Sequence, residues 1–149
     1  MKEYCLGFLT CIEKNLVWLV RKHRGPKINH GTWNGVGGKL ELGENPHTAM
    51  SREWGEECGN LHGNHPILDE WRDLGKLSGD SWEVHLFVNF VGGRGCDPTL
   101  ISVNDVEEPM KWHPVERINT KSLIFYSQAV PTIINAIFDR SLSRIEIKV

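Results

Sequence analysis

Between Asn45 and Gly59 the chain carries a helix with two faces of opposite chemistry, and that restricts what can surround it. Asn45-Pro46 supplies an N-cap with proline at the first helical position, and Gly59 the matching C-terminal stop, so the spacing predicts about four turns. Met50, Trp54 and Cys58 recur at i, i+4 and i+8, an apolar stripe suited to packing on a sheet. Glu53, Glu56 and Glu57 fall at i, i+3 and i+4 and share an arc of roughly 100° at the edge of that stripe. Carboxylates this close repel unless a cation sits among them. A hard divalent ion such as Mg²⁺ or Mn²⁺, oxygen-liganded and commonly shared with substrate phosphates, relieves the repulsion. The plain alternative is a solvated face with Arg52 and Glu56 paired at i, i+4. What tips the balance lies upstream: Gly37-Gly38-Lys39 and Gly43-Glu44 bring flexible backbone, a cation and a further carboxylate to the helix start.

The remaining elements fall on either side of this helix. Tyr4 to Cys11 and Leu16 to Val20 flank polar Glu13-Lys14-Asn15, the spacing of a strand hairpin. Gly25 to Gly38, rich in glycine and with Pro26 and His30, reads as a loop whose backbone approaches a ligand, and so as the wall of an active site. Val84, Leu86, Val88 and Phe90 alternate with Glu83, His85, Phe87 and Asn89, a strand with one dominant apolar face, and Ile67 to Leu77 is a weaker strand. Tyr126, Val130, Ile133, Ile134, Ile137 and Phe138 recur at helical spacing, with Ser127 as cap and Pro131 in the first turn. Arg144 to Val149 is a short terminal strand or a tail. No repeat or linker divides the chain, so residues 1–149 read as one domain.

Composition excludes several functional classes. The 149 residues carry 17 Lys+Arg against 19 Asp+Glu, a net charge of −2, which argues against duplex nucleic acid as a partner and requires any phosphate ligand to be met by local charge. The longest apolar runs, Leu16 to Val20 and Leu86 to Val88, fall far short of the roughly 18 residues of a membrane span. No secretory leader is evident, and the expectation is a soluble cytoplasmic protein. Cys5, Cys11, Cys58 and Cys96 form no C-x-x-C pair and are expected to be reduced thiols.

Written out, Gly38-x5-Glu44-x7-Arg52-Glu53-Trp54-Gly55-Glu56-Glu57-Cys58-Gly59-Asn60 matches the pattern G-x5-E-x7-R-E-U-x-E-E-x-G-U, in which U is a bulky apolar residue. The chain thus resembles the Nudix hydrolases. All seven fixed acidic, basic and glycine positions are filled, and the one departure is Asn60 at the final apolar position. Trp33-Asn34-Gly35-Val36-Gly37-Gly38-Lys39 is similar to the segment before the helix in the MutT-type nucleoside triphosphate branch. Many ADP-ribose-type members carry proline where Val36 stands. Beyond the 23 residues of the box, the likeness from about Tyr4 through Glu57 is looser, and the second half aligns only in outline.

The resemblance implies an α/β fold, a Nudix αβα sandwich with a mixed central sheet, and divalent-metal hydrolysis of a nucleoside diphosphate linked to another group. It assigns Glu53, Glu56 and Glu57 to the metal, with the Gly38 carbonyl as a further ligand, Arg52 as the holder of the glutamates, and Glu44 as support for the surrounding water shell. Phosphoanhydride hydrolysis needs an activated water, a base, and positive charge where the bridging oxygen leaves. Glu53 is the preferred base, and the loop carrying Asp105, Glu107 and Glu108 is the alternative, since family members differ on this point.

For the substrate, Arg21, Lys22, His23 and Arg24 form a local cationic patch after the second strand, and Lys22 aligns with a phosphate-contacting lysine of the MutT-type branch. Lys39 has a similar expected role. Asn34, a donor and acceptor, matches a base-reading asparagine, and Trp33 is a candidate to stack on a base or wall the pocket. The same branch places acidic or polar residues at the start of its C-terminal helix. This chain has Tyr126, Ser127 and Gln128 there, with Gln128 the candidate amide reader. The reading is a pyrophosphohydrolase acting on a nucleoside triphosphate, with an oxidised purine dNTP such as 8-oxo-dGTP foremost. The alternatives are hydrolysis of a nucleotide conjugate (ADP-ribose, a dinucleoside polyphosphate or a capped RNA end) and, behind both, a nucleotide-binding module without turnover.

Overall fold

The computed structural model describes residues 1–23, 26–58, 70–92, 96, 101–103 (backbone), 108–121, 123–139 and 144–149. β1 (Lys2–Cys11) and β2 (Leu16–Arg21) form the expected hairpin, with Thr10 opposite Val17 and Cys11 opposite Leu16. β3 (Trp33–Asn34) pairs with β2, and β4 (Val36–Lys39) runs antiparallel to β1. After α1 (Pro46–Cys58) come β5 (Arg72–Ser78) and β6 (Trp82–Phe90), an antiparallel pair, with β6 parallel to β1 from Lys2 opposite Trp82 to Thr10 opposite Phe90. β7 (Ile101–Val103), β8 (Pro109–Pro114), α2 (Ala129–Phe138) and β9 (Ile145–Lys148) follow. The strand order is β7-β8-β2-β1-β6-β5-β9, with β3 and β4 attached to β2 and β1.

Among the described residues, one α-helix covers each face of this mixed sheet. α1 buries Ala49, Met50, Trp54 and Cys58 among Cys5, Leu9, Trp18 and Trp112. α2 buries Val130, Ile133, Ile134 and Ile137 among Phe8, Leu19, Leu86 and Val88. At ten residues α2 is shorter than the roughly 12 to 15 at which an isolated helix becomes even marginal. Its four buried side chains, at roughly 1.5–3 kcal/mol each, therefore hold it in place. The expected αβα sandwich is the observed architecture.

Several local expectations change. The stretch from Gly25 to Gly38 is not one loop: it contains a 3-10 turn at Lys27–Asn29 and both β3 and β4. Its glycines conceal the strands from a propensity reading because they serve close packing; a Cβ at Gly37 would strike the Cys5 carbonyl, and one at Gly35 the Gly7 carbonyl at 2.6 Å. β6 is buried on both faces rather than one, with Phe87 in the α1 core, Leu86 and Val88 in the α2 core, and Phe90 39% exposed, because helices cover both sides of a central strand. α2 starts at Ala129 with Gln128, not Ser127, at the N-cap position; the Ser127 hydroxyl accepts the Ala129 N–H at 3.0 Å, and Tyr126 lies outside the helix. The terminal segment is a strand, parallel to β5. Gly59, the expected stop of α1, and residues 67–69 of the weaker strand lie outside the described residues.

The cysteine expectation holds for Cys5 and Cys58, which are free and buried, and is corrected for Cys11 and Cys96, which form a disulfide with Cα atoms 6.7 Å apart. The two are 85 residues apart in sequence and meet because β6 runs beside β1, bringing its outgoing segment to the end of the first hairpin.

Candidate active site

The acidic arc is fixed by a cap, a strand and an arginine. Asn45 Oδ1 accepts the Thr48 N–H at 2.8 Å and starts α1. Two turns on, the Glu53 carboxylate lies directly over Gly38 of β4, where any Cβ would collide with it. Arg52 spreads its guanidinium across the motif. It donates to both oxygens of Glu44, from Nε at 2.8 Å and Nη2 at 3.0 Å, to Glu53 Oε1 from Nη1 at 3.0 Å, and to Glu56 at 3.3 Å. Nη2 also reaches the Lys39 carbonyl at 3.1 Å, which ties helix to strand.

This arginine sets the electrostatics. Its hydrogen bonds, with that from the Glu41 N–H, hold the Glu44 carboxyl down to about 2, and Glu44 in turn raises Arg52 above its ordinary range. Glu44 is therefore an anion under all ordinary conditions and works as the inner clamp on Arg52, at 9% exposure, whereas Glu56 at 58% stands in solvent. Beneath the site, burial pushes the Cys5 thiol up to about 11, partly opposed by a Gly38 backbone hydrogen bond, so it stays protonated.

Beside the motif lies a cavity of about 630 Å³. Gly38 and Glu57 border it on one side; Lys22 and Asn34 border it as well, as do Tyr126 and Ser127 ahead of α2. The structure thus brings Lys22, Asn34, Gly38 and Glu57 together. Lys39 is exposed next to this group.

Two expected residues are placed elsewhere. Trp33 is 9% exposed, edge-on to His113 at 4.3 Å with Lys111 over its ring at 5.6 Å, so it is packed into the core rather than open for stacking. Gln128 is exposed at the α2 N-cap and is not on the cavity wall. In the alternative base loop, Asp105 and Glu107 lie outside the described residues, as does Arg24 of the cationic patch, while Glu108 is 1% exposed and accepts the His23 N–H at 2.9 Å. Sequence reading missed Tyr4, Leu6, Trp82 and Val84 as cavity wall. The alternation of Tyr4, Leu6 and Phe8 along β1 was the available signal, but it does not say which face is left open.

Among the described residues the tightest group of metal-ligand types is elsewhere, at Glu3, Glu83 and His85 on adjacent strands. Lys76 pairs with Glu83 at 2.9 Å and His85 Nε2 is hydrogen-bonded to Glu3 at 3.1 Å, so these side chains are already engaged with one another on the sheet.

The model of the NUDIX domain matches residues 5–132. The chain belongs to the Nudix family. It is a phosphoanhydride hydrolase, of a family that is generally dependent on divalent metal. Its fold is shared with MutT from Bacillus halodurans (18% identity, 97% of this chain and 86% of that one, TM-score 0.66). It is also shared with a Nudix hydrolase from Nitrosomonas europaea (16%, 99% and 77%, TM-score 0.70). A third match is the Nudix domain of Shewanella oneidensis NrtR in complex with ADP ribose (17%, 94% and 88%, TM-score 0.66). These identities speak for fold alone. No helix among the described residues is long and apolar enough to cross a membrane.

Proposed function

We propose that this Nudix protein is a Mg²⁺-dependent pyrophosphohydrolase that cleaves a nucleoside triphosphate to the monophosphate and pyrophosphate. The observation that carries the reading is one cavity bordered both by the acidic motif, at Gly38 and Glu57, and by a side-chain amide and a lysine, at Asn34 and Lys22. A base at Asn34 and a triphosphate running past Lys22 toward Glu57 fit that arrangement. The residues also suit the metal: carboxylates and a backbone carbonyl are hard oxygen donors, and the absence of a Cβ at Gly38 leaves the Glu53 carboxylate room beside the β4 backbone.

Glu53, Glu56, Glu57 and the Gly38 carbonyl would hold the ion, which when bound polarises the phosphoanhydride and makes the attacking water more acidic. Glu53 serves as the base and takes the proton of the attacking water; its Oε1 accepts from Arg52 Nη1. Arg52 and Glu44 keep that carboxylate in place. Lys22 meets the negative charge that develops as the α,β-bridging P–O bond breaks and pyrophosphate leaves.

For the base, Asn34 Oδ1 accepts the Gly35 N–H at 2.8 Å, so its amide NH₂ is the group offered to a ligand, a donor suited to a purine carbonyl. A carbonyl-bearing purine fits that donor, and 8-oxo-dGTP is the foremost candidate among such nucleotides. The second reading, a nucleotide conjugate, is supported by the NrtR Nudix domain that shares the fold and binds ADP ribose. A Mg²⁺-dependent turnover panel of canonical and 8-oxo dNTPs, ADP-ribose, dinucleoside polyphosphates and capped RNA separates the two by their products. Monophosphate plus pyrophosphate from an oxidised dNTP is the expected result, with turnover lost by orders of magnitude in Glu57→Gln. Preference for a conjugate would replace the triphosphate reading, and full activity of Glu57→Gln would remove the metal assignment.

A further inference from the structure

Glu108 is a carboxylate buried to 1% exposure, and its chemistry is not accounted for by the metal motif. It stands immediately before β8, whose ladder with β2 runs from Leu16 opposite Pro114 to Val20 opposite Met110. Continuing that register by two places sets Glu108 across from Lys22. The next residue along β8 toward Glu108 is Pro109, which has no N–H to extend the backbone ladder. The Glu108 side chain takes over at this point: Oε2 accepts the His23 N–H at 2.9 Å. On its other side the same short segment is fastened to the loop that precedes β3. The Lys22 N–H donates to the Thr32 carbonyl at 2.8 Å, and the Lys22 carbonyl accepts the Gly31 N–H at 2.7 Å. Lys22 reaches the cavity wall, whereas Glu108 does not.

We propose that Glu108 is a positioning residue: its carboxylate fastens the main chain at Lys22-His23 to β8 and so aims the Lys22 ammonium at the phosphate end of the cavity. This rests on the triphosphate reading above for what Lys22 meets. It gives Glu108 a role different from that of the proton-accepting base considered from sequence. A base needs an oxygen open to the attacking water, and this side chain is enclosed with one oxygen on a backbone amide. A carboxylate buried this deeply is retained where it satisfies fixed donors, and a hydrogen bond to a main-chain N–H serves to hold geometry.

The test is steady-state kinetics on 8-oxo-dGTP and dGTP with Mg²⁺ for Glu108→Gln, Glu108→Ala, Lys22→Ala and the Glu108→Ala/Lys22→Ala double variant, with amide hydrogen exchange at His23 read by NMR. Glutamine keeps a carbonyl acceptor, so Glu108→Gln is expected to hold kcat within threefold, leave the pH profile unchanged and preserve protection of the His23 amide. Glu108→Ala is expected to lose that protection and to raise KM about tenfold with kcat within threefold. The double variant is expected to bind no worse than Lys22→Ala, since both changes remove the same contact. A hundredfold or greater fall in kcat for Glu108→Gln, with the acid limb of the pH profile flattened, would make Glu108 the base and overturn the proposal. Additive effects in the double variant, or an unchanged His23 amide in Glu108→Ala, would overturn it while leaving the triphosphate reading intact. An unchanged KM in Lys22→Ala would remove that reading of Lys22 and this inference together. Where Glu108→Ala does not fold, the Glu108→Gln kinetics and His23 exchange decide by themselves.

Discussion

At the scale of single residues, the site depends on an atom that is missing. Gly38 has no Cβ, and the Glu53 carboxylate occupies the space. Gly38→Ala is expected to keep the fold by circular dichroism while kcat falls at least tenfold, about 1.4 kcal/mol on the barrier, because it would displace the carboxylate proposed as base and metal holder. Undiminished kcat would mean that Glu53 can shift without consequence. His113 gives a second residue-scale prediction. Both ring nitrogens are buried with no hydrogen-bond partner among the described residues, and burial, reinforced by the Lys111 and Arg117 charges, pushes its pKa down to about 4 from an ordinary 6.5. The folded state therefore resists protonation that the unfolded chain accepts. The associated stability is full above pH 6.5 and lost as pH falls toward 4, roughly 3 kcal/mol at its full extent. Urea unfolding of wild type and His113→Leu across that window is expected to show wild type losing more stability than the variant. Parallel curves would remove the prediction. The fixed residues of the motif were legible one by one, since type and spacing carry them; the packing of Trp33 against His113 was not, since the two lie 80 positions apart and meet only through β2.

At the scale of elements, α1 was the most readable part of the chain, because its start, stripe and acidic arc lie within one local stretch and reinforce one another. Its start depends on Asn45, whose side chain receives the Thr48 N–H. Asn45→Ala is expected to lower stability by about 1 kcal/mol, measured as a shift of the urea midpoint, and to leave the metal dependence of turnover unchanged. A loss of metal affinity instead would show that the cap also positions the carboxylates. β4 was the least readable. Glycine at positions 37 and 38 is a poor strand former, and here it is required by the close approach of β1 on one side and of Glu53 on the other. Propensity and tertiary demand oppose each other at the strand that packs against the Glu53 carboxylate.

At the scale of the whole molecule, the parallel pairing of β1 with β6 organises the rest: it sets a helix on each face and brings Cys96 to Cys11. A bond closing 85 residues constrains the unfolded chain strongly. Reduction with dithiothreitol is expected to lower the unfolding free energy by about 2–4 kcal/mol in wild type and to have no effect on Cys96→Ser. Equal curves for oxidised and reduced wild type would show the link to be dispensable. By itself the sequence determined the acidic motif, the helix that bears it, the first hairpin and the apolar stripe of the second helix, because each depends on residues within a few turns or one strand of each other. Tertiary structure decided which of the expected substrate residues share the cavity with that motif: Lys22 and Asn34 do, Trp33 and Gln128 do not, and Tyr4, Leu6, Trp82 and Val84 join them. Their meeting is set by strand order and register, which are the outcome of burying both faces of one sheet and are written in no single stretch of the chain.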